Sequence, residues 1–221
     1  MPATLALPLL LLAQQPQIAE RLAGRVSPDI ASVAIELGNG AAARGLPLDP
    51  LVQKAIEGSA KGIPADRVAQ ALRAVVAQLD SAAVALRAGR AELARDTVAI
   101  AAGAFAISAG LRGRDLMELA RSGGRARTAE TIVGLRVAGT LVALGVPAEA
   151  SVNLVSASLR ADRPAGELLS LPAQVQEQIA RGVPAAQAAA GLARAAAAQA
   201  RRGPPPGRGQ PPPRPPPPPH P

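Results

Sequence analysis

One histidine, no cysteine and sixteen carboxylates are what this 221-residue chain offers for proton transfer, nucleophilic attack or metal binding. The histidine, His220, is next to last and sits inside a proline run. A Ser-His-Asp arrangement, a His-ligated zinc site and most general-base chemistry therefore lack their usual group, and thiolate nucleophiles, thiolate metal sites and disulfides are excluded outright. The carboxylates offer two pairs at helical spacing, Glu92 with Asp96 and Asp115 with Glu118. Arg90 and Arg95 flank the first, Arg112 and Arg114 the second, as on a solvated, charge-balanced helix face. Gly38-Asn39-Gly40 followed by Ala43 fits a loose GxGxxA, but Pro47 and Pro50 interrupt the helix that a dinucleotide loop should open, and no strand-helix rhythm succeeds it. The sequence thus predicts no catalytic residue, no cofactor and no metal ligand, in a protein that is not an enzyme.

A stronger signal lies in GSAKGIPADRVAQAL, which resembles a helix-turn-helix with Gly62 in the turn, Ile63, Val68 and Leu72 as its apolar frame, and Arg67, Gln70 and Arg73 facing bases or phosphates. Against it stand a later echo of the same stretch, VQEQIARGVPAAQAAAGLARA, with only Ala-rich sequence where a reading helix belongs, and a modest local charge. Twenty Lys and Arg face sixteen Asp and Glu in residues 1–200, a net +4, and the remaining four arginines lie beyond. DNA binding is the alternative reading, not the leading one.

The elements that position these residues are set by one recurring punctuation: Gly45-Leu46-Pro47, Gly62-Ile63-Pro64, Gly145-Val146-Pro147 and Gly182-Val183-Pro184. In each, the glycine can take the left-handed conformation that closes one helix, and the proline suits the first position of the next. The expectation is an all-α chain of helical hairpins, an irregular bundle or a short repeat array. Hydrophobic residues make up 48%, yet Phe105 is the sole aromatic, so the core must come from Leu, Val, Ile and Ala through many small contacts.

Residues 1–13 carry the short apolar run LALPLLLLA, below the ~20 residues that span a bilayer, and read as a signal peptide, although no Lys or Arg precedes Arg21. Residues 14–202 form the helical domain. Ser27-Pro28-Asp29 opens a helix expected to stop at Gly38, and Asp49-Pro50 opens the next. From Pro64, Val68, Leu72, Val75, Val76 and Leu79 fall on one stripe. Thr97 to Ile107 is apolar on all sides and reads as the central helix, with Phe105 buried. Thr128 is placed to cap a second apolar helix, and Pro164 and Pro172 divide the chain after Leu159 into short pieces. Residues 203–221 form a proline-rich tail expected to be disordered with polyproline II character. Its PPPRPPPPP resembles ligands of proline-binding domains, with a solvated spacer as the simpler reading.

The joints Ala60-Lys61-Gly62-Ile63-Pro64 and Ala180-Arg181-Gly182-Val183-Pro184, spaced among amphipathic helices over roughly residues 44–200, resemble exported Ala-rich bacterial helical proteins. The resemblance implies an exported chain, periplasmic or extracellular, and carries over no catalytic or binding residues. The functional expectation is a non-enzymatic scaffold or protein-interaction module of the cell envelope, with an envelope or protein partner and no small-molecule substrate.

Overall fold

Many of the turns from helix to helix share one hydrogen-bonding pattern. In a computed structural model, which describes residues 18–124 and 127–202, every regular element is helical. The elements are α1 (residues 18–22), α2 (Pro28–Ala43), α3 (Asp49–Ala60), α4 (Ala65–Gly89), a 3-10 turn (Leu93–Arg95), α5 (Thr97–Ser108), α6 (Gly113–Ser122), α7 (Thr128–Ala143), α8 (Ala148–Arg160), α9 (Ala165–Ala180) and α10 (Ala185–Arg202). The apolar leader, His220 and the proline tail lie outside the described residues.

At the α3–α4 joint, the Gly62 amide donates to the Ser59 carbonyl and the Ile63 amide to the Gly58 carbonyl, which satisfies carbonyls that the end of α3 leaves free. This requires φ +63° at Gly62, a conformation that costs a residue with a Cβ roughly 1–2 kcal/mol. Gly45, Gly145 and Gly182 share the positive φ, at +73°, +87° and +88°. The same pair of bonds recurs at a joint without glycine: Asp162 has φ +56°, its amide donates to the Leu159 carbonyl, and the Arg163 amide donates to the Ser158 carbonyl. Arg127, 35 residues away, holds that joint by donating to Asp162 Oδ1 at 2.7 Å and to the Arg163 carbonyl at 2.9 Å. The Asp162 hydrogen bond raises the pKa of the Arg127 guanidinium.

The prolines stand one position earlier than the sequence predicts. Pro64 and Pro147 are extended, at ψ 141° and 139°, and cap α4 and α8 by accepting the amides of Val68 and Ser151 with their carbonyls. Pro184 does the same for Ala188. Pro47 opens no helix; α3 begins at Asp49, with Pro50 in its first turn.

Other expectations need correction. The first long helix does not stop at Gly38 but runs to Ala43, because Gly38 serves packing: a Cβ there would run into Ile18 Cδ1 of α1. Gly38-Asn39-Gly40 is therefore helical, and no phosphate-binding loop exists at that position. Thr128 is the first residue of α7 and not its cap, its hydroxyl being engaged by Arg90 Nη2 at 2.9 Å. Pro172 divides nothing; α9 passes through it. An interior proline costs ~3 kcal/mol or more, but Leu168, Leu171 and Val175 are fully buried around it and contribute roughly 1.5–3 kcal/mol each.

The organising helix is α4, about 37 Å long at 1.5 Å per residue, against which α2, α3, α5 and α6 all pack. It buries Val68, Leu72, Leu79 and Leu86, while Val75 and Val76 remain half-buried. A second group gathers around α7, which packs on α5, α8 and α9, while α10 closes over α8. Leucine and alanine supply most of the core, joined by valine and isoleucine such as Val52, Ile100, Val137 and Val155: Leu51, Leu72, Leu79, Leu116, Leu135, Leu141 and Leu154 are buried, with Ala55, Ala82, Ala106 and Ala138 between them. Helix α5 is not the buried centre, since one of its sides lies at the surface.

A candidate binding groove

The exposed side of α5 is apolar between Thr97 and Ser108 at its two ends. Val98, Ala101 and Phe105 recur at the spacing of one helical face; Val98 is 51% and Phe105 44% exposed. An aromatic side chain carries a large apolar surface, so leaving the protein's sole aromatic in water is costly unless something else covers it. Its position is built in: the ring lies on the backbone of α7, where a Cβ at residue 139 would come within 2.9 Å of Phe105 Cε1. Gly139 leaves the space that Cδ1 and Cε1 of the ring occupy against α7.

Phe105 borders a groove of about 750 Å³, open to solvent along one side. It is lined by Ala71, Ala74, Val75 and Gln78 of α4 and by Ala101, Ala102, Ala104 and Ser108 of α5. On the α4 side it is bordered by Lys54 and Glu57 of α3, on the α5 side by Arg136 and Thr140 of α7. The α3 border is a hydrogen-bonded triad: Glu57 accepts from Lys54 Nζ at 2.7 Å and from Lys61 Nζ. These bonds, Lys54's first, hold the Glu57 carboxyl down at about 2, although the group is exposed. Lys54 and Glu57 balance within the groove lining, and Lys61, which completes the triad, lies outside it. Arg136 pairs with no acid among the described residues, which hold all sixteen Asp and Glu. Arg136 is therefore the one charge without an opposite partner among the residues that line the groove.

A second cavity, about 660 Å³, lies between α6 and α8, lined by Arg112, Arg114 and Arg121 together with Asp115, Glu118 and Glu149. Its charges balance, and Asp115 is committed, accepting the Arg112 amide at 2.8 Å as the cap of α6. Asp96, of the other carboxylate pair, caps α5 by accepting the amides of Val98 and Ala99 at 2.8 and 3.1 Å. One carboxylate of each pair is thus engaged at the start of a helix. No group of three His, Cys, Asp or Glu that could hold a metal ion occurs among the described residues.

Arg67, Gln70 and Arg73 are exposed on α4. By helical periodicity Arg67 and Gln70 continue the α4 wall of the groove toward the Gly62 joint. Elsewhere, Arg90 is 8% exposed with no carboxylate partner. It donates to the Gly124 carbonyl and to Thr128 Oγ1, and so ties the end of α4 to the connection between α6 and α7. The groove escapes sequence reading because α5 is apolar on every side, so periodicity cannot say which side faces out. The only available signal was the lone aromatic in that run, three residues after Ala102. The chain matches no family model, no curated protein and no solved structure.

Proposed function

We propose that this protein is a non-enzymatic helical interaction module that holds a helical segment of another protein in the groove of α3, α4, α5 and α7. The observation that carries this reading is Phe105, anchored on Gly139 and nearly half exposed beside a lining rich in alanine. Small lining residues let a partner backbone come close, and an aromatic anchor in an apolar depression is the usual energetic centre of an interface. The leader's apolar run and the resemblance to exported Ala-rich helical proteins support an envelope location. No described helix is long and apolar enough to cross a membrane. The test is selection from a displayed library of randomised 20-residue helices on the wild-type chain, with counter-selection on Phe105→Glu. Groove-dependent binders are expected, and a library that yields none contradicts the proposal.

A second reading rests on the α3–joint–α4 unit with Arg67, Gln70 and Arg73 exposed on α4. It requires sequence-selective duplex DNA binding that is lost in Arg67→Ala and Gln70→Ala and falls steeply with salt.

A further inference from the structure

We infer that copies of this chain associate head to tail, the outer face of α10 in one copy seating on the outer face of α2 in the next. The even-numbered helices form a row in which α2 packs on α4, α4 on α6, α6 on α8 and α8 on α10. Helices α2 and α10 are the two ends of that row, and each has an exposed face. On α2 this face carries Asp29 and Glu36, opposite the buried Ile30, Ala34, Gly38 and Ala41, and the helix has no Lys or Arg. On α10 it carries Arg194 and Arg201, opposite the buried Ala188, Ala189 and Ala196, and the helix has no Asp or Glu. None of the four makes an ion pair among the described residues, and the unpaired Glu20 and Arg25 ahead of α2 cancel each other. Each pair is spaced by seven residues, about 10 Å along a helix. The acids of one helix therefore meet the arginines of the other two by two, whichever way the helices run. Ser32 and Ala198, small residues between the charges, let the two backbones approach.

The same charges decide the symmetry. Two α2 faces set against each other oppose acid to acid, and two α10 faces oppose arginine to arginine, so a two-fold dimer through either face is disfavoured and the contact is heterologous. A heterologous contact leaves α2 free at one end and α10 at the other, and growth continues past the dimer. One helix laid on another lies at the low end of interface size, ~1,200 Å² or less, and exposed ion pairs are individually weak. Association is therefore concentration-dependent and sensitive to salt. The surface is separate from the groove, whose lining includes no residue of α2 or α10.

The experiment is sedimentation velocity on the full chain, from micromolar to millimolar concentration, at low and at physiological salt. The weight-average sedimentation coefficient should rise with concentration beyond that of a dimer, and the rise should shrink as salt increases. Asp29→Arg/Glu36→Arg and Arg194→Glu/Arg201→Glu, each first shown by circular dichroism to keep its helical content, should associate roughly tenfold more weakly or worse. An equimolar mixture of the two should recover the wild-type behaviour, because the reversed α2 of one variant meets the reversed α10 of the other. Phe105→Glu should associate like the wild type. A wild-type chain that stays monomeric at every concentration overturns the inference, as do charge variants that associate like the wild type or a mixture that fails to recover. Loss of association in Phe105→Glu also overturns it, by placing the contact in the groove.

Discussion

The ring of Phe105 rests on the backbone of Gly139, and that contact sets both the exposure of the aromatic and the spacing of α5 from α7. A methyl group at residue 139 would also lie 2.9 Å from Ala106 Cα, which is backbone and cannot swing aside. Gly139→Ala should therefore force the helices apart. Alanine's better helix propensity offsets ~1 kcal/mol, while overpacking costs typically 1–3 kcal/mol. A net loss of roughly 1 kcal/mol in urea unfolding followed by circular dichroism is expected; a stabilised variant would show that the contact is looser than described.

The joints separate conformational cost from contact. A Cβ at residue 62 would meet nothing within 4 Å, so Gly62→Ala should cost only the left-handed penalty of roughly 1–2 kcal/mol, with Gly62→Val at the upper end. Asp162→Gly should be near neutral. It relieves that penalty and loses a surface bond to Arg127 worth about 0.2–1 kcal/mol. Equal destabilisation in Gly62→Ala and Asp162→Gly would refute the shared geometry.

Arg90 is expected to behave as a clamp. Arg90→Ala removes charge-assisted hydrogen bonds to the Gly124 carbonyl and the Thr128 hydroxyl, together with a buried side chain. Such bonds contribute about 1.5–3 kcal/mol, and amides near residues 124–131 should exchange faster than those of α4. Uniform loss of protection across the chain would mean that Arg90 supports the whole fold instead of this connection.

Glu57 should titrate far below an ordinary glutamate. Lys54 and Lys61 hydrogen-bond its charged form, so an NMR titration should find a midpoint at about 2. The folded value lies below the unfolded one, so the triad's contribution is in place above the ordinary glutamate range and is lost as pH falls toward 2. The pair is solvent-exposed, and melting temperature should barely respond to Glu57→Gln at neutral pH. A midpoint near 4.5 would show that the triad does not persist in solution.

Much of the architecture is legible in sequence because helix ends are local events. The bonds around Gly62 and the capping carbonyl of Pro64 involve residues within five positions of one another, so glycine and proline announce them. Asp162 is the counterexample: its left-handed backbone is supported by Arg127, a tertiary partner, and only Pro164 hints at a joint there. Gly38 and Pro172 mislead for the same reason, since Ile18 packing and buried leucines override their local preferences. The groove is the least legible feature. Its lining residues come from helices whose order around α4 no spacing rule specifies, and the exposure of Phe105 depends on a glycine 34 residues later.

The most direct measurement is the affinity of a library-selected helical peptide for the wild-type chain and for Phe105→Glu, each first shown by circular dichroism to melt at the same temperature. The account predicts at least a tenfold loss in the variant, the consequence of removing an aromatic anchor worth roughly 2 kcal/mol or more, with peptide-induced NMR shifts in the wild type confined to α3, α4, α5 and α7. Equal affinity for the two proteins, or shifts centred away from Phe105, would contradict it.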